Sequence, residues 1–368
     1  LECRRIVSKC ATCSETDGNR MLTNILYFIF RMLATMCLAC NFVLLHAQTI
    51  QMCKVEEERG NTGALGRQYV YEALAQAIIS PSVGKLMDHI ANQTDGQPNY
   101  YVPFFGQNVF LIICIITVFC IKMDLDLPKS SGMKGVKKIF TNLDICFFLA
   151  VMFVLGNCFG FVETFLFMYL KDEMHAPMYL LGLTITTGAV VSIPFLYVSD
   201  WIVGKMGNEN VFITAFVMYA IRYVGYSYIS SPWMAFPFEA LEVFTYQLKK
   251  VATSRYVGQN APEGLLATLN GISGGLHYGF GKGTGGLIGG AIIASTGSIA
   301  LAFRYFGVGA AIFGLIYFLY QYFYAGGFAL FYRAELQNKK TEEEKTLDTL
   351  EPFLGSNEKP IIKEKSDV

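Results

Sequence analysis

The sequence predicts an all-α, polytopic membrane protein. Of its 368 residues 53% are hydrophobic and only 16% charged, whereas a soluble chain keeps about a quarter of its positions charged. Apolar runs recur at the length of about 20 residues that a helix needs to cross a hydrocarbon core. The connections between those runs alternate between basic and nearly uncharged. The formal net charge is zero, so nothing in the overall charge points to nucleic acid or to an acidic partner.

Taken in order, about nine transmembrane helices are expected, at 22–50, 66–87, 100–121, 142–170, 177–204, 209–230, 233–258, 264–296 and 299–325. The second is the weakest, since it carries Arg67, Glu72 and Lys85. The eighth exceeds one crossing and must tilt, break or lie partly at the interface. Three helices fill 22–121 and six fill 142–326, separated by a polar, Lys-rich linker at 122–141. Residues 1–21 form a polar extracellular or lumenal segment. Residues 327–368, with charge runs at Lys339–Lys345 and Lys359–Lys365, read as a disordered tail.

Orientation follows from the asymmetry of basic residues. Alternate connections hold Lys54, Arg59 and Arg67, then Lys122, Lys129, Lys134, Lys137 and Lys138, then Lys205, then Lys249, Lys250 and Arg255. These and the basic tail place the carboxy terminus in the cytoplasm and residue 1 outside, although Arg4, Arg5, Lys9 and Arg20 pull the other way. Asn92-Gln93-Thr94, the single N-x-S/T sequence, falls in an outside connection and makes Asn92 a candidate glycosylation site. The chain starts at Leu1 without an initiator Met, so a preceding amino-terminal portion is expected. Cys37, Cys40, Cys114, Cys120, Cys146 and Cys158 lie in apolar runs and act as small hydrophobes. Cys3, Cys10 and Cys13, without a paired His, read as a lumenal disulfide or free thiols rather than a zinc site. No nucleophile–base pair, phosphate loop or metal-ligand spacing stands out, so no enzyme and no cofactor is expected.

Ionisable groups inside membrane helices are costly and usually pair or face a cavity. Arg222 lies roughly 12 Å below the outer end of its helix, and Glu239 and Glu242 lie roughly 10–15 Å below the same surface on the next. The short turn at Ser230-Ser231-Pro232 makes those helices antiparallel neighbours. An ion pair between Arg222 and one of the two acids is therefore expected, with the other left as a proton or substrate site. A simple packing bridge is the plain alternative. Lys282, near the middle of a long apolar segment, needs an acid, a watery cavity or a changed protonation state. Gly271, Gly275, Gly279 and Gly283 recur every four residues, the small-xxx-small pattern of close helix packing. His277 on that ladder reads either as a titrating group or as a hydrogen-bonded packing residue. Glu163 lies roughly 10 Å below an outer helix end and can snorkel to the surface. Glu72 is expected to pair with nearby Arg67 at the interface.

Three segments carry a family resemblance. Residues 263–290, EGLLATLNGISGGLHYGFGKGTGGLIGG, resemble the eleventh helix of the major facilitator domain-containing protein six group. Residues 237–258, PFEALEVFTYQLKKVATSRYVG, and 65–88, LGRQYVYEALAQAIISPSVGKLMD, are similar to its tenth and fifth helices. The likeness extends over most of 22–326, and the group is related to the lactose permease and nucleoside–proton symporter branch of the major facilitator superfamily. Such transporters have two six-helix halves joined by a cytoplasmic loop. The resemblance implies a partial major facilitator fold, helices four to twelve in a three-plus-six arrangement, and more weakly proton-coupled uptake. It implies that Glu163 lines the central cavity. It also likens Asp200, Gly204, Lys205 and Gly207 to the family's cytoplasmic gate motif, in which the acid caps a helix end and pairs with basic groups on closure. A solvated turn is the plain reading of the same residues. Three departures stand out: Ser192 occupies the acidic place of the symporters' eighth helix, Glu242 replaces a histidine in the tenth, and Gln247-Leu248-Lys249-Lys250 replaces an aromatic-rich stretch later in that helix.

The expected function is secondary transport of a small polar solute by alternating access, to which the resemblance adds coupling to protons. Sugars, nucleosides and organic anions all suit a cavity holding Arg, Lys and Glu. The alternative is a non-transporting membrane receptor or scaffold on the same fold. Lys249 and Lys250 within a helix favour it, as does Ser366-Asp367-Val368, which fits a PDZ-type carboxylate groove.

Overall fold

The computed structural model describes residues 20–58, 65–93, 101–120, 139–262 and 265–324. The linker lysines 122–138, the tail from 325 onward, and Cys3, Cys10 and Cys13 lie outside the described residues, as do the expectations attached to them. Each expected apolar stretch is mainly helical where described, with breaks at 227–231 and 240–241, and no strand occurs among the described residues.

The helices are α1 Arg20–Glu58, α2 Leu65–Gln93, α3 Tyr101–Cys120, α4 Leu143–Met168, α5 Met178–Tyr197 and the short α6 Ser199–Met206. They continue as α7 Asn208–Tyr226, α8 Phe236–Glu239, α9 Lys249–Asn260, α10 Leu266–Gly274, α11 Lys282–Thr296 and α12 Ile299–Tyr324. Residues up to His46 form one unit, represented here by the amino-terminal part of α1, and everything from Ala47 onward forms a second. The site described below lies within the second unit.

Among the described residues, three helical spans are long and apolar enough to cross a membrane on those criteria alone: Leu143–Glu173, Met178–Tyr197 and Ile299–Phe323. Of the other stretches the second carries Arg67, Glu72, Lys85 and Asp88, and the seventh and eighth are interrupted by π-helical turns at Val243–Leu248 and Gly275–Gly281. Phe104, Phe110, Ile112, Val308 and Phe323 are among the large apolar side chains left exposed, as expected of surfaces facing lipid.

Lipid tails are as apolar as leucine, so helix association in a membrane relies on close approach and polar links rather than on hydrophobic burial. The antiparallel α2–α5 pair uses both. Gly84 lies against the backbone of Met178, and Gly182 against that of Ser80. At one end the Asp88 carboxylate accepts the amides of Met178 and Tyr179 at 3.0 and 2.8 Å, filling two of the free donors that begin α5. Nothing in the sequence spacing marks Asp88 for this role. Elsewhere α7 packs on α12, and α4 packs on the Gly275–Gly281 turn and α11. Phe161, Tyr223, Phe303 and Phe306 fill the centre with stacked and edge-on rings.

Candidate functional site

Glycines set the closest approach in the unit. Buried Gly281, Gly285 and Gly289 recur every four residues and press on α4. A Cβ at Gly281 would stand 2.6 Å from Phe153 O, one at Gly285 would stand 2.8 Å from the Asn157 carbonyl carbon, and Gly289 faces Phe161 and Phe165. Gly156 and Gly160 of α4 return the contact against the backbones of His277 and Lys282. The ladder expected to pack is a different row: a Cβ at Gly275, Gly279 or Gly283 meets nothing within 4 Å. Both rows have the same spacing, and spacing cannot say which one faces the neighbour.

The packed row fixes the polar partners. Gly160 lies three residues before Glu163, so Lys282 Nζ reaches Glu163 Oε1 at 2.6 Å. Their side chains are 40% and 44% exposed, respectively. His277 Nδ1 stands 3.2 Å from Met152 O. Because a carbonyl only accepts, Nδ1 carries the proton and Nε2 is left as an acceptor in the neutral ring.

Arg222 pairs with Glu239, the expected kind of partner, at 3.1 Å and almost fully buried. Arg222 also donates to Thr245 Oγ1 at 2.7 Å and to Tyr226 OH at 3.2 and 3.0 Å, while Tyr226 OH donates to Glu239. The other acid, Glu242, interacts through space with both Arg222 and Glu239. Its carboxylate occupies the room left by the missing side chain of Gly188 on α5. Ser192 is buried and bonds back to Gly188 O at 2.6 Å.

Two lysines complete the site. Lys249 Nζ lies 2.7 Å from His277 Nε2, with the Tyr246 and Tyr278 rings 5.3 and 5.6 Å away. Lys250 donates to Glu72 and sits 4.1 Å above the Tyr69 ring. The expected Glu72–Arg67 pair is therefore corrected. Residues five apart point to different sides of a helix, and Arg67 instead lies over the Tyr197 ring at 4.8 Å. The Lys249-Lys250 doublet was itself the missed signal, since adjacent residues on a helix face about 100° apart and need two separate partners. Gln247, 1% exposed, is a second omission: its amide oxygen and nitrogen have no hydrogen-bond partner among the described residues.

Asp200, Lys205 and Gly207, likened above to a gate motif, lie at the opposite end of α2–α5 from Asp88. Asp200 bonds to the Gly66 amide in the first turn of α2. Burial pushes its carboxyl above the usual carboxylate range, while the Gly66 bond, Arg255 and Arg67 oppose the rise. Arg255 also donates to the Asp200 carbonyl at 3.3 Å. Lys205 lies over the Trp201 ring at 5.6 Å, so the basic neighbours of Asp200 are Arg67 and Arg255, from other helices. Gly207 joins α6 to α7 at φ +83°, in the left-handed region that favours glycine. Asn92 is exposed near the end of α2, while Thr94 of the same sequon lies outside the described residues. Three acid–lysine or acid–arginine pairs, a lysine–histidine pair and a further acid are thus gathered in one helical unit, and a family model covers that unit almost completely, matching residues 20–334. The chain belongs to the MFS_1 like family, within the major facilitator superfamily.

Proposed function

We propose that the protein is a secondary transporter that moves a small polar solute by alternating access and couples the movement to a proton carried by Glu242. Membership of a transporter family supports the general reading. The observation that carries the finer one is the state of four embedded acids. Glu72, Glu163 and Glu239 each hold a cation through a hydrogen bond, whereas Glu242 makes none among the described residues and shares its surroundings with two further acids, Glu239 and Glu72, and one arginine. A carboxylate in that position is costly when charged and cheap when protonated. Proton binding from one side and release to the other then becomes the step that lets the site change its exposure.

The half-buried row of Tyr246, Tyr278 and Phe159, flanked by Glu72 and by the Glu163–Lys282 pair, supplies the wall along which the solute passes. The carboxy terminus is cytoplasmic on this reading, so Asp200 and Gly66 lie at the cytoplasmic end. The test is solute-driven proton movement into proteoliposomes. Glu242→Gln should abolish proton-coupled accumulation while leaving solute exchange, because a permanent amide mimics the protonated acid. Retained proton-coupled accumulation in that variant would remove Glu242 from the mechanism.

A further inference from the structure

Sorted by their bonded partners, the charges around Lys249 and those around Glu242 form two groups, and neither group balances. The first contains Lys249, Lys250 and Lys282, with His277, against two acids, Glu72 and Glu163. Both acids are already engaged, Glu72 by Lys250 and Glu163 by Lys282. The second contains Arg222 against Glu239 and Glu242, and Glu72 of the first also acts on Glu242 through space. Among the described residues one group leaves Lys249 without a bonded acid, and the other leaves Glu242 without a bonded cation.

Lys249 is 2% exposed, as is His277. Its hydrogen-bond partner is the neutral ring of His277, whose Nδ1–H is committed to Met152 O. One N–H of the ammonium goes to Nε2, and two remain. The charged group acting on Lys249 from its own helix is Lys250, and His277 also feels Lys282. No carboxylate among the described residues bonds to Lys249. What surrounds it instead is aromatic. Tyr246 and Tyr278 lie beside Nζ, and Phe159 stacks on Tyr246 and His277 at 5.3 and 5.6 Å. A buried ammonium with two free donors, beneath a half-buried layer of ring faces, has the chemistry of a receptor for a carboxylate attached to an apolar body.

We infer that Lys249 and His277 form the anion-binding end of the solute site and that the solute is a small organic carboxylate. The inference rests on the transport reading above and names the solute class for the same site. It also supplies a reason for coupling. The carboxylate supplies the acid that Lys249 lacks and a proton neutralises Glu242, so the loaded site carries no unmatched charge and the pair crosses without net charge movement.

The test uses the full chain in nanodiscs, titrated at pH 7 with acetate and benzoate. Benzyl alcohol and benzylamine serve as the uncharged and cationic counterparts, and inorganic phosphate as a different anion. At least one carboxylate should bind tenfold or more tightly than both counterparts and than phosphate, and should shift the ring resonances of ¹⁵N-labelled His277. Lys249→Met should lose at least tenfold of that affinity, whereas Arg304→Gln, which removes a positive charge elsewhere, should lose none. If Lys249→Met does not fold, Lys249→Arg should keep the preference for carboxylate over benzyl alcohol. Equal affinity for benzoate and benzyl alcohol, preference for phosphate, or full affinity in Lys249→Met would overturn the assignment. Proteoliposomes separate the two readings. Uptake of a neutral or cationic solute that survives Lys249→Met keeps transport and rejects the carboxylate, while carboxylate binding without any uptake keeps the site and rejects transport.

Discussion

Arg222 and Glu239 meet at 3.1 Å with side chains only 4% and 6% exposed, and Tyr226 bonds to both. Removing one partner leaves the other charge buried and alone, which costs about 3–5 kcal/mol in comparable pairs. Arg222→Met and Glu239→Gln should therefore each lower the thermal unfolding temperature markedly. The double variant Arg222→Met/Glu239→Leu should recover most of the loss, because paired charges and a well-packed apolar pair are often close in free energy. Losses under about 1 kcal/mol in both single variants would mean that the pair does not hold α7 to α8.

Lys282 and Glu163 pair at 2.6 Å but remain 40% and 44% exposed. Solvent screening reduces such a pair to about 0–1 kcal/mol. Glu163→Gln should thus leave the unfolding temperature nearly unchanged and act on solute affinity, since it frees Lys282 on the proposed pathway wall. A large drop in stability with unchanged uptake would make the pair a structural bridge instead.

The two glycine rows make opposite predictions from identical spacing. Gly285→Leu should separate α11 from α4, because even a Cβ there would collide with the Asn157 backbone. Gly279→Ala meets open space and should be neutral or stabilising by about 0.5–1 kcal/mol from the lower backbone freedom of alanine. Thermal unfolding of the purified variants distinguishes the rows. Comparable losses in both would place the ladder at an interface after all.

This contrast also shows how far the sequence could be read. The nine helical stretches and the Arg222 pairing were legible because apolar length and depth along a helix are one-dimensional quantities. The turn at Ser230-Ser231-Pro232 then brought the two depths together. Lys282–Glu163, Lys250–Glu72 and Lys249–His277 join residues more than a hundred, and in the last case 28, positions apart. Those partners depend on which helix crosses which, and on the face turned inward, and neither follows from spacing. The π-helical turns at Val243–Leu248 and Gly275–Gly281 add to the difficulty, since each shifts the register of the side chains beyond it.

Gln247 is buried with both amide atoms unpartnered among the described residues. An unmet buried polar group costs about 1–3 kcal/mol. Gln247→Met, similar in volume and apolar, should consequently raise the unfolding temperature. If transport falls while stability rises, the amide is retained for function. A lower unfolding temperature would show that the side chain has polar contacts that the substitution destroys.

Asp200 gives a prediction with a definite sign. In the contact with Gly66 burial raises its pKa above the ordinary carboxylate value, with Arg255 and Arg67 opposing. When the contact opens and the carboxyl is solvated, its pKa returns to about 3.9. The closed contact therefore holds its proton more tightly than the open one, and protonation favours closure. Its contribution is complete below the ordinary value and is lost as pH rises through the raised one. Amide hydrogen exchange at Gly66–Val70, corrected for intrinsic rates, should show protection that strengthens as pH falls through this window. Asp200→Asn, whose amide can still accept from Gly66, should remove that pH dependence while keeping the protection. Protection that instead grows with rising pH would mean that Arg67 and Arg255 outweigh burial, and that the charged form of Asp200 holds the end of α2 in place.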